Sequence, residues 1–141
     1  MVRVLVVDDQ EPFRRAATAV VDALEGFEVV GVAATGEESV ASVPDLRPDL
    51  VLMDVNLPGM TGMEATRRIG QLLPSTIVVL LSTYDRAEYG GEVDECGAAA
   101  FVGKSTFDGD AVRQAWSVGT EREANAKDSH GSGTADARPS A

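Results

Sequence analysis

The sequence predicts an α/β fold in which a doubly wound, five-stranded parallel sheet lies between two layers of helices, a three-layer (βα)5 sandwich. Five short apolar runs recur along the chain, and a segment with helical spacing of apolar residues follows each run. Apolar runs without polar alternation are typical of parallel strands buried on both faces. The length of 141 residues favours one layered domain.

The apolar runs are the predicted strands, and the first four are rich in Val, Leu or Ile. They lie at 2–7, 27–32, 50–53, 77–81 and 99–102. Each interval between them is long enough for one helix, and right-handed crossovers would place helices on both faces of the sheet. Ligands of such sheets bind beyond the carboxyl ends of the strands, which is where chemistry is expected.

The predicted helices are bounded by residues that begin or end helices. Pro12 suits a first turn, Gly26 and Gly119 suit C-terminal stops, and Pro44 is expected to end the second helix. The fourth helix contains Gly90-Gly91 and is expected to be the least stable. The predicted helices span 12–25, 36–43, 62–72, 86–96 and 108–118.

The chain divides at residue 118 into a predicted domain (1–118) and a predicted disordered polar tail (119–141). After Val118 the sequence contains no Val, Leu, Ile, Met or aromatic residue. Such a segment buries too little apolar surface to offset the entropy lost on ordering.

The charge balance excludes several functions. With 23 acidic and 12 basic residues the formal net charge is −11, which argues against direct nucleic-acid binding and against docking on anionic lipid. The single cysteine fits a reducing compartment. No targeting segment or membrane-spanning run is recognisable, so we expect a cytoplasmic protein.

Polar residues follow four of the predicted strands. Asp8-Asp9, Asp54, Ser82-Thr83 and Lys104 come directly at or soon after strand ends, so a parallel sheet would gather them at one edge. Two carboxylates ~5 Å apart repel by roughly 3 kcal/mol at an effective dielectric near 20, so three of them need cations. Lys104 is one, and Mg²⁺, which prefers oxygen ligands, would be another.

Such a site suits phosphoryl chemistry. A carboxylate can act as a nucleophile and form an aspartyl phosphate, and Asp54 is the natural candidate because Asp8 and Asp9 are better placed as metal ligands. A backbone carbonyl near Asn56 would complete the protein ligands, and a Ser or Thr hydroxyl would donate to the phosphoryl group. Taken singly, each residue has an ordinary explanation as a helix cap or a surface charge; four strand ends together favour a site.

These residues lie in motifs that resemble one family, over about 3–118. The chain is similar to the receiver domains of bacterial two-component response regulators, and the group that precedes a LuxR-type helix-turn-helix is the most similar. The motifs are Val-Leu-Val-Val-Asp8-Asp9, Pro48-Asp-Leu-Val-Leu-Met-Asp54-Val-Asn-Leu-Pro58-Gly59-Met-Thr-Gly62, Val79-Leu-Leu-Ser82-Thr83-Tyr84 and Phe101-Val-Gly-Lys104.

The resemblance implies a flavodoxin-like receiver fold and a role for each matching residue. Asp54 corresponds to the phosphoacceptor, and Asp8, Asp9, Asp54 and the backbone carbonyl of Asn56 correspond to the Mg²⁺ ligands. Lys104 corresponds to the lysine that pairs with the phosphoryl group.

Four further roles follow from the same resemblance. Ser82 corresponds to the hydroxyl that moves to the phosphoryl group, and Phe101 to the aromatic switch residue that turns inward with it. Asn56 and Tyr84 stand at the positions that tune the rate of dephosphorylation.

The resemblance also implies partners. A histidine kinase or phosphotransfer protein would supply the phosphoryl group, and an output protein of unknown identity, or a second copy of the chain in a homodimer, would read the surface of helix 4, strand 5 and helix 5. The chain would then be a regulatory phosphoacceptor rather than an enzyme with an external substrate. It departs from the family at Ala99-Ala100, Gly103 and Gly90-Gly91, which fall on that surface. Ser105, where many other receivers have a proline, suits the LuxR-type group. No helix-turn-helix pattern follows, so a stand-alone regulator and a fragment both remain open.

Two alternatives belong to other functional classes. A Mg²⁺-dependent phosphatase of the haloacid dehalogenase type would also use an aspartyl phosphate, but that class has Asp-x-Asp after its first strand, whereas this chain has Asp8-Asp9. A protein-interaction module that acts without phosphorylation is the second alternative.

Overall fold

The fold is described by a computed structural model that covers residues 1–132, and it has the predicted architecture. Five parallel strands form one sheet in the order β2-β1-β3-β4-β5. The strands are β1 Val2–Val7, β2 Phe27–Ala33, β3 Leu50–Asp54, β4 Ile77–Ser82 and β5 Ala100–Gly103. The strand order reverses between β1 and β3, and at such a point a crevice opens beyond the carboxyl ends of the strands.

Helices follow each strand, as expected. They are α1 Glu11–Asp22, α2 Gly36–Leu46, α3 Gly62–Leu72, α4 Glu92–Glu95 and α5 Gly109–Ser132, with short 3-10 turns at Arg86–Tyr89 and Lys104–Thr106. Within residues 1–132 no helix has both the length and the apolar character needed to cross a membrane.

The central strands are buried on both faces, which explains why their sequences lack polar alternation. Successive residues of β1 and β3 contribute to opposite core layers: Leu5 and Met53 belong to one, Val6 and Leu52 to the other. The first layer includes Ile69 of α3, and the second includes residues of α1 and α5. All strands are thereby held in register, and their carboxyl ends lie together at one edge.

The fourth helical segment is interrupted at the glycine pair, in line with its expected weakness. A 3-10 turn ends at Tyr89, and within 86–96 only Glu92–Glu95 is α-helical. Gly90 lies between them with φ +65° and ψ −150°, a conformation that side chains with a Cβ rarely adopt. The predicted continuous helix over 86–96 is therefore wrong, because the glycine pair divides it.

Pro44 does not end α2. The helix continues to Leu46, and Arg47 then adopts a left-handed conformation with φ +46° and donates its N–H to the Val43 carbonyl. Proline this close to the end of a helix leaves only one carbonyl without its usual intrahelical donor, and the last turn tolerates that loss.

The predicted helix stop at Gly119 is also wrong, whereas the predicted disorder of 119–141 stays a prediction. α5 runs through Gly119 to Ser132; residues 133–141, the remainder of the predicted tail, lie outside the described part of the chain. The segment after Gly119 is rich in Glu, Arg, Ala and Lys, which are good helix formers. Glycine at position 119 allows α5 to lie close to β4, because a Cβ there would be only 2.5 Å from Cγ2 of Ile77.

This packing gives opposite expectations for two glycine-to-alanine substitutions within helices. Gly119→Ala should lower the free energy of unfolding by about 1–2 kcal/mol, because the added methyl overpacks the buried Ile77. Gly70→Ala in α3 is the matched control: no atom lies within 4 Å of its Cβ position, so it should raise stability by up to about 1 kcal/mol. Chemical denaturation measures both, and equal effects would contradict the close contact between α5 and β4.

Candidate functional site

The carboxyl edge of the sheet gathers three carboxylates and one ammonium group. Asp8 and Asp9 follow β1, Asp54 is the last residue of β3, and Lys104 follows β5. One oxygen of each carboxylate lies within 4.8 Å of one oxygen of each of the others. Asp8 and Asp54 are buried, whereas Asp9 is exposed. The predicted convergence of these four residues is therefore present.

Lys104 lies between the two buried carboxylates. Its Nζ is 2.5 Å from Oδ2 of Asp8 and 3.6 Å from Oδ1 of Asp54. The ring of Phe13 lies 4.5 Å from the same Nζ and offers a cation–π contact. One ammonium against three carboxylates leaves two negative charges without a partner in this cluster, the charge that a divalent cation would neutralise.

Backbone contacts fix the acidic residues in place. The Gln10 N–H donates to Oδ1 of Asp8, and the Arg14 guanidinium donates to the Asp8 carbonyl, at 2.8 and 2.7 Å. The Asn56 N–H donates to Oδ1 of Asp54 at 3.3 Å. Gly62 packs so closely on the Asp54 backbone that a Cβ would overlap its carbonyl oxygen. Asp9 does not cap α1: Gln10 occupies the N-cap position.

Asp54 is held in an environment that opposes its negative charge. Its pKa is raised from 3.8 to about 6, chiefly by burial and next by the neighbouring Asp8, while Lys104 and the Asn56 N–H lower it. The lysine therefore compensates only part of the cost of keeping this carboxylate charged inside the protein.

The donor set fits a hard divalent cation. Oδ2 of Asp8 is buried and accepts no well-aligned hydrogen bond from the described residues, although the Lys104 ammonium is close. A buried carboxylate oxygen with unused acceptor capacity, beside two other carboxylates, is the ligand type that Mg²⁺ prefers. Asp8, Asp9 and Asp54 are thus the residues that would hold it.

Three of the remaining predicted residues, Asn56, Ser82 and Phe101, contact one side chain that the sequence analysis did not single out, Tyr89. The Tyr89 hydroxyl lies 2.6 Å from Oγ of Ser82 and accepts a hydrogen bond from Nδ2 of Asn56 at 3.0 Å. Its ring centre is 6.1 Å from that of Phe101. Asn56 therefore links the acidic cluster to Tyr89, because its N–H contacts Asp54 and its side chain contacts the Tyr89 hydroxyl.

The two neighbouring hydroxyl residues at the end of β4, Ser82 and Thr83, differ in burial. Ser82 is 1% exposed and its Oγ accepts the Tyr84 N–H at 3.0 Å, whereas Thr83 is exposed. The Tyr84 side chain is 55% exposed and contributes its backbone rather than its ring to this cluster.

Two residues of the site were missed because they lie outside strand ends. Phe13 is an apolar position of α1, and its spacing predicts core packing rather than a lysine contact. Tyr89 lies in a segment with a poor helical pattern, and the turn that orients its hydroxyl has no clear sequence signal. A polar-tipped aromatic near the glycine pair was the one available indication.

Comparisons with known proteins identify a family. The sequence profile of a family described as "Response regulator receiver domain" matches residues 4–116. The response regulator GacA of Pseudomonas viridiflava is 39% identical over 104 residues, which cover 74% of this chain and 49% of that protein. The chain thus spans about half the length of the curated relatives it matches first.

Solved structures give the same result. The signal receiver domain of the putative response regulator NarL from Mycobacterium tuberculosis superposes with a TM-score of 0.75 at 29% identity, covering 82% of this chain and 96% of that chain. A LuxR-family two-component response regulator from Aurantimonas sp. SI85-9A1 gives 0.77 at 28% identity, covering 84% and 85%.

Because the pKa of Asp54 is raised, replacing its carboxylate should increase thermal stability in metal-free buffer, and the size of this increase should depend on pH. A raised carboxyl pKa stabilises the fold below pH 3.8, and this contribution is lost as the pH rises through about 6. Asp54→Asn should therefore raise the Tm by a few °C at pH 7.5, and the gain should shrink towards pH 5. Thermal melts with EDTA measure the difference between the two proteins; a gain that grows on acidification would contradict the assignment.

The unbalanced charge predicts that Mg²⁺ stabilises the fold. Mg²⁺ should raise the Tm of the wild type, and Asp9→Asn should weaken the apparent affinity about tenfold or more by removing one carboxylate of the cluster. Asp45→Asn, at an exposed position in α2, is the matched control and should bind as the wild type does. Equal affinities for all three proteins would exclude a metal site at this cluster.

Proposed function

Because the chain belongs to the response regulator receiver domain family, we propose that it is a phosphorylation-dependent switch that accepts its phosphoryl group on Asp54. Membership implies phosphoryl-acceptance signalling in a two-component system. The observation that carries the assignment to this residue is the position of Asp54: a buried carboxylate within 3.6 Å of an ammonium group and beside two further carboxylates.

The proposed reaction is a displacement at phosphorus. A carboxylate oxygen of Asp54 attacks the phosphorus of a phosphohistidine or an acyl phosphate, forming a new P–O bond. The bond from phosphorus to the donor nitrogen or oxygen breaks, and the donor leaves with that electron pair. In dephosphorylation, water attacks the phosphorus, the bond from phosphorus to the Asp54 oxygen breaks, and inorganic phosphate is released.

The neighbouring residues would stabilise charge on the phosphoryl oxygens. Lys104 pairs with one of them as a point charge, and the Ser82 hydroxyl donates to another. Asp8, Asp9, Asp54 and the backbone carbonyl of Asn56 would hold Mg²⁺, which would supply positive charge to the phosphoryl oxygens. A doubly charged group on Asp54 then gives Ser82 and Lys104 new partners.

The output would follow from the packing of Ser82. Phe101, in contact with Tyr89, would turn inward as Ser82 moves, and this would change the surface formed by α4, β5 and α5. Asn56 and Tyr84 would set the rate of dephosphorylation. On this proposal the protein catalyses only its own phosphorylation and dephosphorylation, and another protein, or a second copy of the chain, reads the altered surface.

The partners and the location are proposals of the same kind. A histidine kinase or a phosphotransfer protein would donate the phosphoryl group. Direct contact with nucleic acid or anionic lipid is disfavoured by the net charge of −11. A cytoplasmic location stays a prediction, and the single cysteine, Cys96, fits it as a buried free thiol.

The decisive experiment is covalent labelling. Incubation with acetyl phosphate and Mg²⁺ should add the mass of one phosphoryl group to the wild type and to the control Asp45→Ala, but not to Asp54→Ala. Lys104→Ala should label at least tenfold more slowly, because it removes the ammonium group within 3.6 Å of the acceptor carboxylate. Intact mass spectrometry measures the adduct, and an adduct that persists in Asp54→Ala would refute the assignment.

Two further measurements test the alternatives. Sustained turnover of p-nitrophenyl phosphate by the wild type would favour the phosphatase. Mg²⁺ binding without any phosphoryl adduct, together with partner binding that is unchanged in Asp54→Asn, would favour an interaction module that acts without phosphorylation.

A further inference from the structure

We propose that Tyr89 is a positioning residue that restrains Ser82 in the unphosphorylated state, because it accepts the hydrogen bond that the Ser82 hydroxyl must instead donate to the phosphoryl group. The inference rests on the proposed function, since it concerns the same hydroxyl. It adds a residue outside the motifs that identify the site, in the 3-10 turn that precedes α4.

The hydrogen-bond capacity of the two hydroxyls sets the direction of their bond. Ser82 is 1% exposed, its Oγ already accepts the Tyr84 N–H, and Tyr89 is the only acceptor for its proton among the described residues. Tyr89 is half-buried, and its bond to Asn56 lies at the surface, so its own proton can reach water. Because an unsatisfied buried donor is costly, Ser82 is the donor and Tyr89 the acceptor.

A phosphoryl oxygen on Asp54 therefore competes with Tyr89 for a single proton. In the resting state the Ser82 hydroxyl donates its hydrogen bond to Tyr89. In the phosphorylated state it donates to the phosphoryl group, and the hydrogen bond to Tyr89 is broken. The energy of the lost bond is subtracted from the energy gained, so Tyr89 makes the switch harder to turn on.

Because Tyr89 lies just before α4, the loss of its hydrogen bond to Ser82 also affects the α4 surface. The residue ends the 3-10 turn directly before Gly90, where the chain changes direction, and its ring contacts Phe101. When Ser82 leaves, Tyr89 retains only the exposed Asn56 as a hydrogen-bond partner among the described residues. The segment between β4 and α4 is then attached less firmly to the strand ends.

The test is the affinity for beryllofluoride, an analogue of the phosphoryl group, in the presence of Mg²⁺. Tyr89→Phe keeps the ring and removes the acceptor, so it should bind beryllofluoride about fivefold more tightly than the wild type, the factor expected from one ordinary hydrogen bond. Its Tm should be lower than that of the wild type without beryllofluoride and close to it at saturation, a pattern that a general loss of packing would not give.

Two further proteins isolate the interaction. In a Ser82→Ala background, Tyr89→Phe should leave the beryllofluoride affinity unchanged, because the shared proton is absent. Thr76→Val, which removes a hydroxyl that donates to the Pro48 carbonyl at the opposite end of β4, is the matched control and should bind as the wild type does.

The outcomes separate this inference from the function beneath it. If the wild type binds beryllofluoride and Tyr89→Phe binds it equally or more weakly, the restraint is refuted and the proposed function stands. If the wild type neither binds beryllofluoride nor accepts a phosphoryl group, the proposed function fails, and the inference fails with it. An equal gain in the Ser82→Ala background would show that Tyr89 acts through another residue, which also refutes the restraint.

Discussion

The organisation of the site depends on one ammonium group shared by the carboxylates at the carboxyl end of the sheet. Lys104 contacts Asp8 most closely and Asp54 more distantly, and it lies against the Phe13 ring. It can offset only one of three negative charges. The fold therefore keeps an electrostatic cost at its functional edge, and the raised pKa of Asp54 expresses that cost. Binding of a cation beside these carboxylates, or any change that lowers their negative charge, is therefore favoured.

The strands of the fold and the acidic residues of the site could be predicted because both follow from local rules. Buried parallel strands require unbroken apolar runs, and parallel topology brings their carboxyl ends together, so Asp8, Asp54 and Lys104 could be expected to meet before any geometry was known. The ends of helices were predicted less well. Pro44 and Gly119 are stop signals by propensity, but the last turn of α2 tolerates the proline, and good helix formers follow Gly119, which itself packs against Ile77.

The contacts of Tyr89 could not have been predicted from the same rules. A hydroxyl that joins Asn56 to Ser82 depends on how a turn of a few residues is oriented above the sheet, and such turns are set by the surroundings rather than by periodicity. The glycine pair indicated a weak helix, but not that its break would leave an aromatic side chain over the strand ends. The long-range contact, rather than the composition of the segment, gives Tyr89 its place in the site.

The length of α5 has a mechanical consequence. The helix contacts the start of β4 at Gly119, and Arg122 donates to the Ala98 carbonyl at the 2.8 Å of an ordinary hydrogen bond. It then continues to Ser132, ten residues later, which is about 15 Å at 1.5 Å per residue. A tilt of about 10° around these contacts would move the helix end by roughly 2.6 Å over that length. Small repacking beside β5 would therefore be enlarged at the far end of α5, at the opposite edge of the sheet from the carboxylates.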